Sequence, residues 1–315
     1  MVTIPSPLSP LIVLVGPTAS GKTSLALHLA QRFRGEIISC DSVAVYRELE
    51  IGTAKPSFAE RALVRHHLID VVGPTEPCTA GDFSRLARVA LTDISSRGKL
   101  PIIAGGTGLY LRALVDGLFP SPPTDPNLRN RLRGLAATRG SSYLHRILGR
   151  LDSAAAALIH PNDTPKAIRA IEVSLAARQP LTQQWQQGRD ALIGFRILRL
   201  GLNPPRPLLY ERINTRAAAM FDHGLIEETQ QLVARYGYDC RPLTSLGYAE
   251  AMAVLRQQLS RDEAIAHAQQ GHRNYAKRQS TWFRRELDMH WLPGFGNDPQ
   301  IIASATSLVA QHLQP

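Results

Sequence analysis

An α/β fold with a mostly parallel sheet, plus an all-helical insertion, follows from three features of the sequence. First, Leu11–Val15 is a short apolar run, succeeded by Gly16-Pro17-Thr18-Ala19-Ser20-Gly21-Lys22-Thr23 and then by Leu25, Leu29 and Phe33 at helical spacing. Strand, glycine loop and helix, in that order, are the setting in which the pattern G-x-x-x-x-G-K-[ST] binds phosphate. Second, further strand-like runs alternate with helical ones, which implies a parallel sheet covered on both faces. Third, Leu128–Ala177 is helix-prone, carries alanine runs without a strand pattern, and is set off by Pro120, Pro122, Pro123 and Pro126. The expected layout is residues 1–118 as the first part of the core, 119–192 as the insertion and 193–315 as the second part of the core.

The elements can be justified in order. In the glycine loop, backbone N–H groups of Gly16, Pro17's neighbours Thr18 and Ala19, Ser20 and Gly21 suit a di- or triphosphate, and the helix N-terminus adds partial positive charge. Lys22 reaches an outer phosphate and Thr23 offers a ligand to Mg²⁺. Glu36–Cys40 reads as a second strand that delivers Asp41 and Ser42 to its C-terminal end. That edge is where open α/β sheets bind ligands. The loop Ile51–Pro56 carries Lys55. His66, His67 and Asp70 resemble a metal cluster, but no further ligand stands at zinc spacing, so they read as structural. Asp82–Arg97 is a helix with Phe83, Leu86, Val89, Ala90 and Ile94 on one apolar face. Leu100–Ala104 is a strand ending at Gly105-Gly106-Thr107-Gly108-Leu109-Tyr110, whose glycines let backbone approach a ligand closely.

Within the insertion, His160–Asp163 is a turn, Thr164 caps the helix carrying Lys166 and Arg169, and Gln179–Gln187 is the exit. Phe195–Leu202 returns to the sheet. Leu208–Leu225 is an amphipathic helix whose Arg212 and Arg216, at i and i+4, share a face. Leu246–Leu255 and the basic stretch Arg261–Leu287 are helices, and Met289–Leu292 is the last strand.

Composition narrows the function. The 315 residues are 44% hydrophobic, enough for a full core, and carry a net charge of +10, an excess that a nucleic-acid partner would exploit. The 3 cysteines stand singly, which argues against a zinc finger or disulfide framework and for a reducing, cytoplasmic setting. Met1–Pro10 lacks positive charge and the apolar run after it is short, so neither a signal peptide nor a membrane span is expected. A monomer is expected.

Several stretches together resemble the bacterial tRNA dimethylallyltransferases, also called tRNA isopentenyltransferases. They are Gly16–Thr23; Asp41-Ser42 with Tyr46-Arg47 and Ile51–Pro56; Asp82-Phe83; Gly105–Tyr110; His160–Asp163 with Arg169 and Glu172; Arg212 with Arg216; Gly247-Tyr248 with Glu250; and Lys277-Arg278-Gln279 with Thr281-Trp282 and Arg284. Each is modest alone; in this order and spacing they are specific. The resemblance implies a P-loop kinase-like core with a helical insertion that grips the anticodon stem. It implies transfer of a dimethylallyl group from dimethylallyl diphosphate to N6 of the adenosine 3′ of the anticodon, position 37, with Mg²⁺ assisting and diphosphate released. It also implies roles: Asp41, Thr23 and Arg216 in catalysis, Gly16–Thr23 on the diphosphate, and tRNA contacts from Asp41, Ser42, Val43, Ala44, Thr107 and Arg129. The implied tRNA contacts continue through Pro165, Lys166, Ala167, Ile168, Arg169, Gly247 and Tyr248 to Lys277, Arg278, Gln279, Thr281 and Arg284. Two positions depart from the family pattern: Ala44 stands where many members have Gln, and Cys78 where an aromatic residue is common.

The chemistry agrees with the residues. The N6 lone pair of adenine is delocalised, so attack on an allylic carbon needs a base to take the amine proton. Asp41 stands beside the phosphate loop for that task; its other reading is a water-mediated hold on Mg²⁺. The loop alone leaves open a small-molecule kinase or a non-enzymatic RNA-binding nucleotide switch. Against the first stands the lack of a clear second Mg²⁺ motif, and against the second an Asp41 without a task.

Overall fold

The structure is a computed structural model that describes residues 8–186 and 188–314. The reading of the first seven residues, and of Gln187 in the insertion's exit, lies outside the described residues. The strands β1 (Ser9–Val15), β2 (Gly35–Cys40), β3 (His66–His67), β4 (Leu100–Gly105), β5 (Phe195–Leu202) and β6 (Met289–Leu292) form one sheet. Their order is β3-β2-β4-β1-β5-β6, and every pairing among them is parallel. Leu11 to Leu14 of β1 are 0% exposed, as expected of a strand covered on both faces. Leu25 and Leu29 of the helix Lys22–Arg32 pack over Ile12, Leu14 and Ile102 in the main core.

The register sets where ligands can bind. Cys40 pairs with Gly105, Gly105 with Val15, and Val15 with Gly201, so four strands reach one row across the sheet. The loops after β1, β2 and β4 therefore leave the sheet side by side.

The described residues form two compact units, one running up to Leu114 and resuming at Ile193, the other Val115–Leu192. The second unit begins slightly earlier than the proline cluster suggests. Its helices are Pro126–Arg139, Ser141–Leu151, Ser153–Leu158, Thr164–Ala177 and Leu181–Trp185, closed over a core that includes Leu144, Leu148 and Ile171. The expected cap Thr164 is instead the first helical residue. Asp163 is the cap, its carboxylate accepting the Lys166 N–H, because a carboxylate also binds the Lys166 ammonium at 2.6 Å.

Other differences have local causes. Val89, expected on the buried face of Ala80–Ser96, is 67% exposed, since the buried stripe runs through Phe83, Ala87, Ala90, Leu91 and Ile94. The expected helix Leu208–Leu225 is two: Arg206–Asp222 ends before Gly224, whose φ of 96° breaks it, and Leu225–Tyr236 begins afresh. The helices Phe58–Leu63 and Pro299–His312 are not anticipated from sequence. The first is held by a capping box of Ser57 and Glu60, and the second covers the sheet with Ile301, Ala305 and Val309.

His66 and His67 form the edge strand β3, and the His67 Nε2 lies 2.8 Å from Glu36. Asp70 binds Lys55 at 2.5 Å and Arg61 at 2.7 Å. Glu36, His67 and Asp93 each bring a ligand atom within 4.8 Å of the others. Glu36 is already filled, however, by Arg97 at 2.5 and 2.7 Å and by Lys99 at 2.7 Å, so the group is an ion-pair network. Arg97 above all holds the Glu36 carboxyl far below the usual carboxylate range, against the opposing effect of its burial. Such a depressed carboxylate stabilises the fold above its unfolded value of about 4.3 and loses that contribution as pH falls below it. Glu36→Gln is therefore expected to destabilise the protein by about 2 kcal/mol at neutral pH. Urea melts of both proteins at pH 7 and near pH 3 should show that gap shrinking in acid; a gap that stays constant contradicts the network's role.

Candidate active site

The glycine loop leaves β1 and folds under constraint. Gly21 caps the helix Lys22–Arg32 at φ 86°, and a Cβ there would lie 2.8 Å from the Gly296 N. Ala19 also sits in the left-handed region, at φ 62°, a strained state that persists only where neighbours fix it. The Lys22 ammonium donates to the Pro17 carbonyl at 2.6 Å. Burial, with the Arg216 charge nearby, pushes it down to about 7, while Asp41 pulls it upward.

Asp41 begins the loop after β2. One carboxylate oxygen, Oδ1, accepts the N–H groups of Val43 at 2.8 Å and Ala44 at 3.1 Å. No hydrogen bond to Oδ2 occurs among the described residues. The Ser42 N–H donates to the Thr107 hydroxyl at 3.1 Å, which ties the loop after β2 to the loop after β4. Gly105 is required at that seam, since a Cβ would stand 2.1 Å from the Cys40 carbonyl oxygen.

These loops enclose a cavity of about 530 Å³ whose walls include the phosphate loop, Asp41, Gly106, Arg212 and Arg216. Arg212 stacks on the Phe295 ring at 3.6 Å and donates to Asn297 at 2.9 Å. Arg216, one helical turn on, faces the same space; burial lowers the pKa of its guanidinium and the Asp41 charge raises it. The cavity thus gathers cations and backbone donors around Asp41, as an anionic leaving group and a proton-accepting base require.

The two family departures are accommodated. Ala44 is 4% exposed and its N–H donates to Asp41. Cys78 is buried, with its N–H donating to the Tyr46 hydroxyl and its carbonyl accepting from Tyr110, which stacks on Phe83. The pair of tyrosines fills the space around it.

The helix Arg261–Phe283 divides by face. His272, Tyr275, Ala276, Gln279 and Phe283 recur at helical spacing on the inward side. Lys277, Thr281 and Arg284 form an exposed outward stripe, which lines a second cavity of about 510 Å³ with Tyr210 and Pro17. Arg278 lies over the Tyr275 ring at 5.7 Å. Two residues that sequence reasoning did not single out lie behind the site: His272 borders a small space with Thr18, Ala19 and Arg216, and Tyr275 is three residues on. Burial and the Asp41 charge push the Tyr275 phenol up to about 12, and burial beside Arg216 pushes His272 down to about 4. The signal was available: both fall on the helix face opposite the basic stripe.

Several residues expected to contact tRNA are buried or already paired within the protein. Tyr248 is 0% exposed, donates to Glu228 at 2.5 Å and accepts the Gly52 N–H, and the adjacent Gly247 N–H is taken by Glu250. Gln279 is 5% exposed, with its amide consumed by Thr18 and Gly106. In the helical unit, Ala167 and Ile168 are core residues, whereas Pro165 and Lys166 are exposed. Arg129 forms a two-pronged pair with Glu172 at 2.8 and 2.5 Å, and Arg169 donates to Ser121 and Pro122. Lys55, read as a loop cation, is buried between Glu50 and Asp70.

Comparison with known proteins agrees with this geometry. The family model for IPP transferase matches residues 44–286. A tRNA dimethylallyltransferase of Koribacter versatilis is 63% identical, over 95% of this chain and 97% of that one. One of Solibacter usitatus is 51% identical, over 96% and 99%. The crystal structure of the full-length tRNA isopentenylpyrophosphate transferase of Bacillus halodurans superposes with a TM-score of 0.72 at 36% identity, covering 97% of each chain. A eukaryotic dimethylallyltransferase, solved acting on tRNA, superposes with a TM-score of 0.82 at 26% identity, covering 98% of this chain and 80% of that one. The strand–loop–helix phosphate site, the carboxylate beside it and these likenesses lead to one conclusion: the chain belongs to the tRNA dimethylallyltransferase (IPP transferase) family, whose members modify tRNA by dimethylallyl transfer.

Proposed function

We propose that this chain transfers the dimethylallyl group of dimethylallyl diphosphate to N6 of the adenosine just 3′ of the anticodon, at position 37 of tRNA. The observation that carries this reading is the single cavity shared by the phosphate loop and Asp41. The amine attacks the allylic carbon, the N–C bond forms as the C–O bond to diphosphate breaks, and the amine proton passes to Asp41 Oδ2. Val43 and Ala44 hold the other oxygen, so the carboxylate arrives oriented. Lys22, Arg216 and the loop N–H groups receive the negative charge that gathers on the departing diphosphate.

The donor set fits Mg²⁺. Thr23 is exposed on the cavity wall as a hard oxygen donor, and because Mg²⁺ keeps most of its waters beside phosphates, Asp41 would hold the ion only through one of those waters and keep Oδ2 for the proton. When bound there, the ion neutralises diphosphate charge.

The adenine must leave its stack to reach Asp41, as enzymes acting on bases require. Ser42, Val43 and Thr107 stand beside Asp41 to meet it. The exposed stripe Lys277, Thr281 and Arg284, with Arg278, suits backbone phosphates of the anticodon arm. In the helical unit Pro165 and Lys166 are exposed and offer a further contact surface, with Arg129 and Arg169 half-buried around Glu172 behind them. A monomer remains part of this reading, and three free, buried cysteines support a reducing cytoplasmic setting. Among the described residues, no helix is long and apolar enough to cross a membrane.

Asp41→Asn keeps size and removes basicity, so it is expected to slow single-turnover transfer from labelled dimethylallyl diphosphate by about 10²–10⁴-fold. Binding of both substrates should be nearly intact, and a rate within threefold of wild type refutes the base assignment. Neutralising Lys277 and Arg284 together is expected to weaken tRNA binding and to flatten the plot of log affinity against log salt by about one to two units, with dimethylallyl diphosphate affinity unchanged. Parallel lines of equal intercept return the stripe to ordinary solvated surface.

A further inference from the structure

Gln279 is the most firmly held polar side chain next to the phosphate loop that the reaction does not use. It stands on the inward face of the helix Arg261–Phe283 and is 5% exposed. Its Oε1 accepts the Thr18 N–H at 2.8 Å, and its Nε2 donates to the Gly106 carbonyl at 3.0 Å. The fit is close: a Cβ on Gly106 would come within 2.1 Å of that Nε2. One amide thus ties the loop after β1 to the loop after β4, and both hydrogen-bonding ends are satisfied without any outside group. The residue after Thr18 is Ala19, in its left-handed conformation. A strained residue holds its shape only when its surroundings over-determine it, and the neighbouring amide is fixed by Gln279 alone among described side chains.

We propose that Gln279 is a positioning residue of the diphosphate site. It sets the binding shape of the phosphate loop from a helix whose opposite face carries the basic stripe, and it does not contact RNA. The inference rests on the reading that this loop holds the diphosphate. A near-isosteric apolar replacement removes both hydrogen bonds and leaves the Thr18 N–H without its acceptor. A glutamate keeps that acceptor but, when ionised, turns a second negative oxygen toward the Gly106 carbonyl. Protonation of the glutamate restores a donor there, so the defect of Gln279→Glu should be relieved as pH falls.

The test uses the full chain, with inorganic diphosphate and unmodified tRNA as binding probes. Gln279→Met is expected to weaken diphosphate affinity, and to raise the KM for dimethylallyl diphosphate, by about tenfold, the worth of a buried hydrogen bond. Its tRNA affinity should stay within about twofold, inside the range ordinary for changes away from a contact. Gln279→Glu should show the same defect at pH 8 and, relative to wild type, regain affinity at pH 6, a recovery that a merely structural residue would not give. Gly106→Ala, which pushes the amide away without altering it, provides an independent variant should Gln279→Met fail to fold, and should give the same diphosphate defect. Loss of tRNA affinity with diphosphate affinity unchanged overturns the proposal, as does no change in either. Lys22→Met separates the two layers. If it leaves diphosphate affinity unchanged, the site reading itself falls; if it weakens binding while Gln279→Met and Gly106→Ala do not, only the positioning role falls.

Discussion

The structure depends on the parallel register that brings Cys40, Gly105, Val15 and Gly201 into one row. Parallel pairing fixes the direction of every strand, and the row fixes how far each one reaches. A one-residue slip of β2 against β4 would turn its side chains to the other face and carry Asp41 away from the phosphate loop. The apolar interior of β1 and the matching runs in β4 and β5 lock that register by burial. Gly105 completes the lock, because only a residue without a side chain fits against the Cys40 carbonyl.

On this frame the site is electrostatically one-sided. Lys22, Arg212 and Arg216 border a cavity in which Asp41 is the carboxylate closest to the reaction's needs. Burial lowers the pKa of both Lys22 and Arg216, and the Arg216 charge lowers that of Lys22 further, so the site is poised for an anion that would offset the cost of burying these cations. Two backbone N–H groups hold one Asp41 oxygen, and its charge partly offsets those of Lys22 and Arg216. On the proposed reading, binding and base chemistry fall to neighbouring but separate groups.

Much of this was legible in the sequence where the signal is local. The phosphate loop, the strand that ends at Asp41, the glycine turn after β4 and the strandless insertion all carry their own patterns. What stayed hidden in the sequence has a different character. Pro299–His312 has a helical pattern, but its reason to exist is the sheet face it covers, far away in sequence. Tyr248 and Gln279 lie in motifs that suggest an RNA surface, yet their partners, Glu228 with Gly52 and Thr18 with Gly106, are visible only once the chain is folded. Likewise, Lys55 looks like a free loop cation until Glu50 and Asp70 close around it. Sequence spacing reports which side of a helix a residue occupies; it does not report what waits on that side.

On the proposed reading the diphosphate lies in the loop that follows β1, with the reacting carbon turned toward Asp41. A crystal structure of the protein with a thio-bridged, unreactive analogue of dimethylallyl diphosphate tests it most directly. The account predicts diphosphate density on the amides of the phosphate loop, within hydrogen-bonding reach of Lys22 and Arg216, and the allylic carbon on the Asp41 side of the cavity. Density for the diphosphate away from that loop, or an allylic carbon directed away from Asp41, would contradict it.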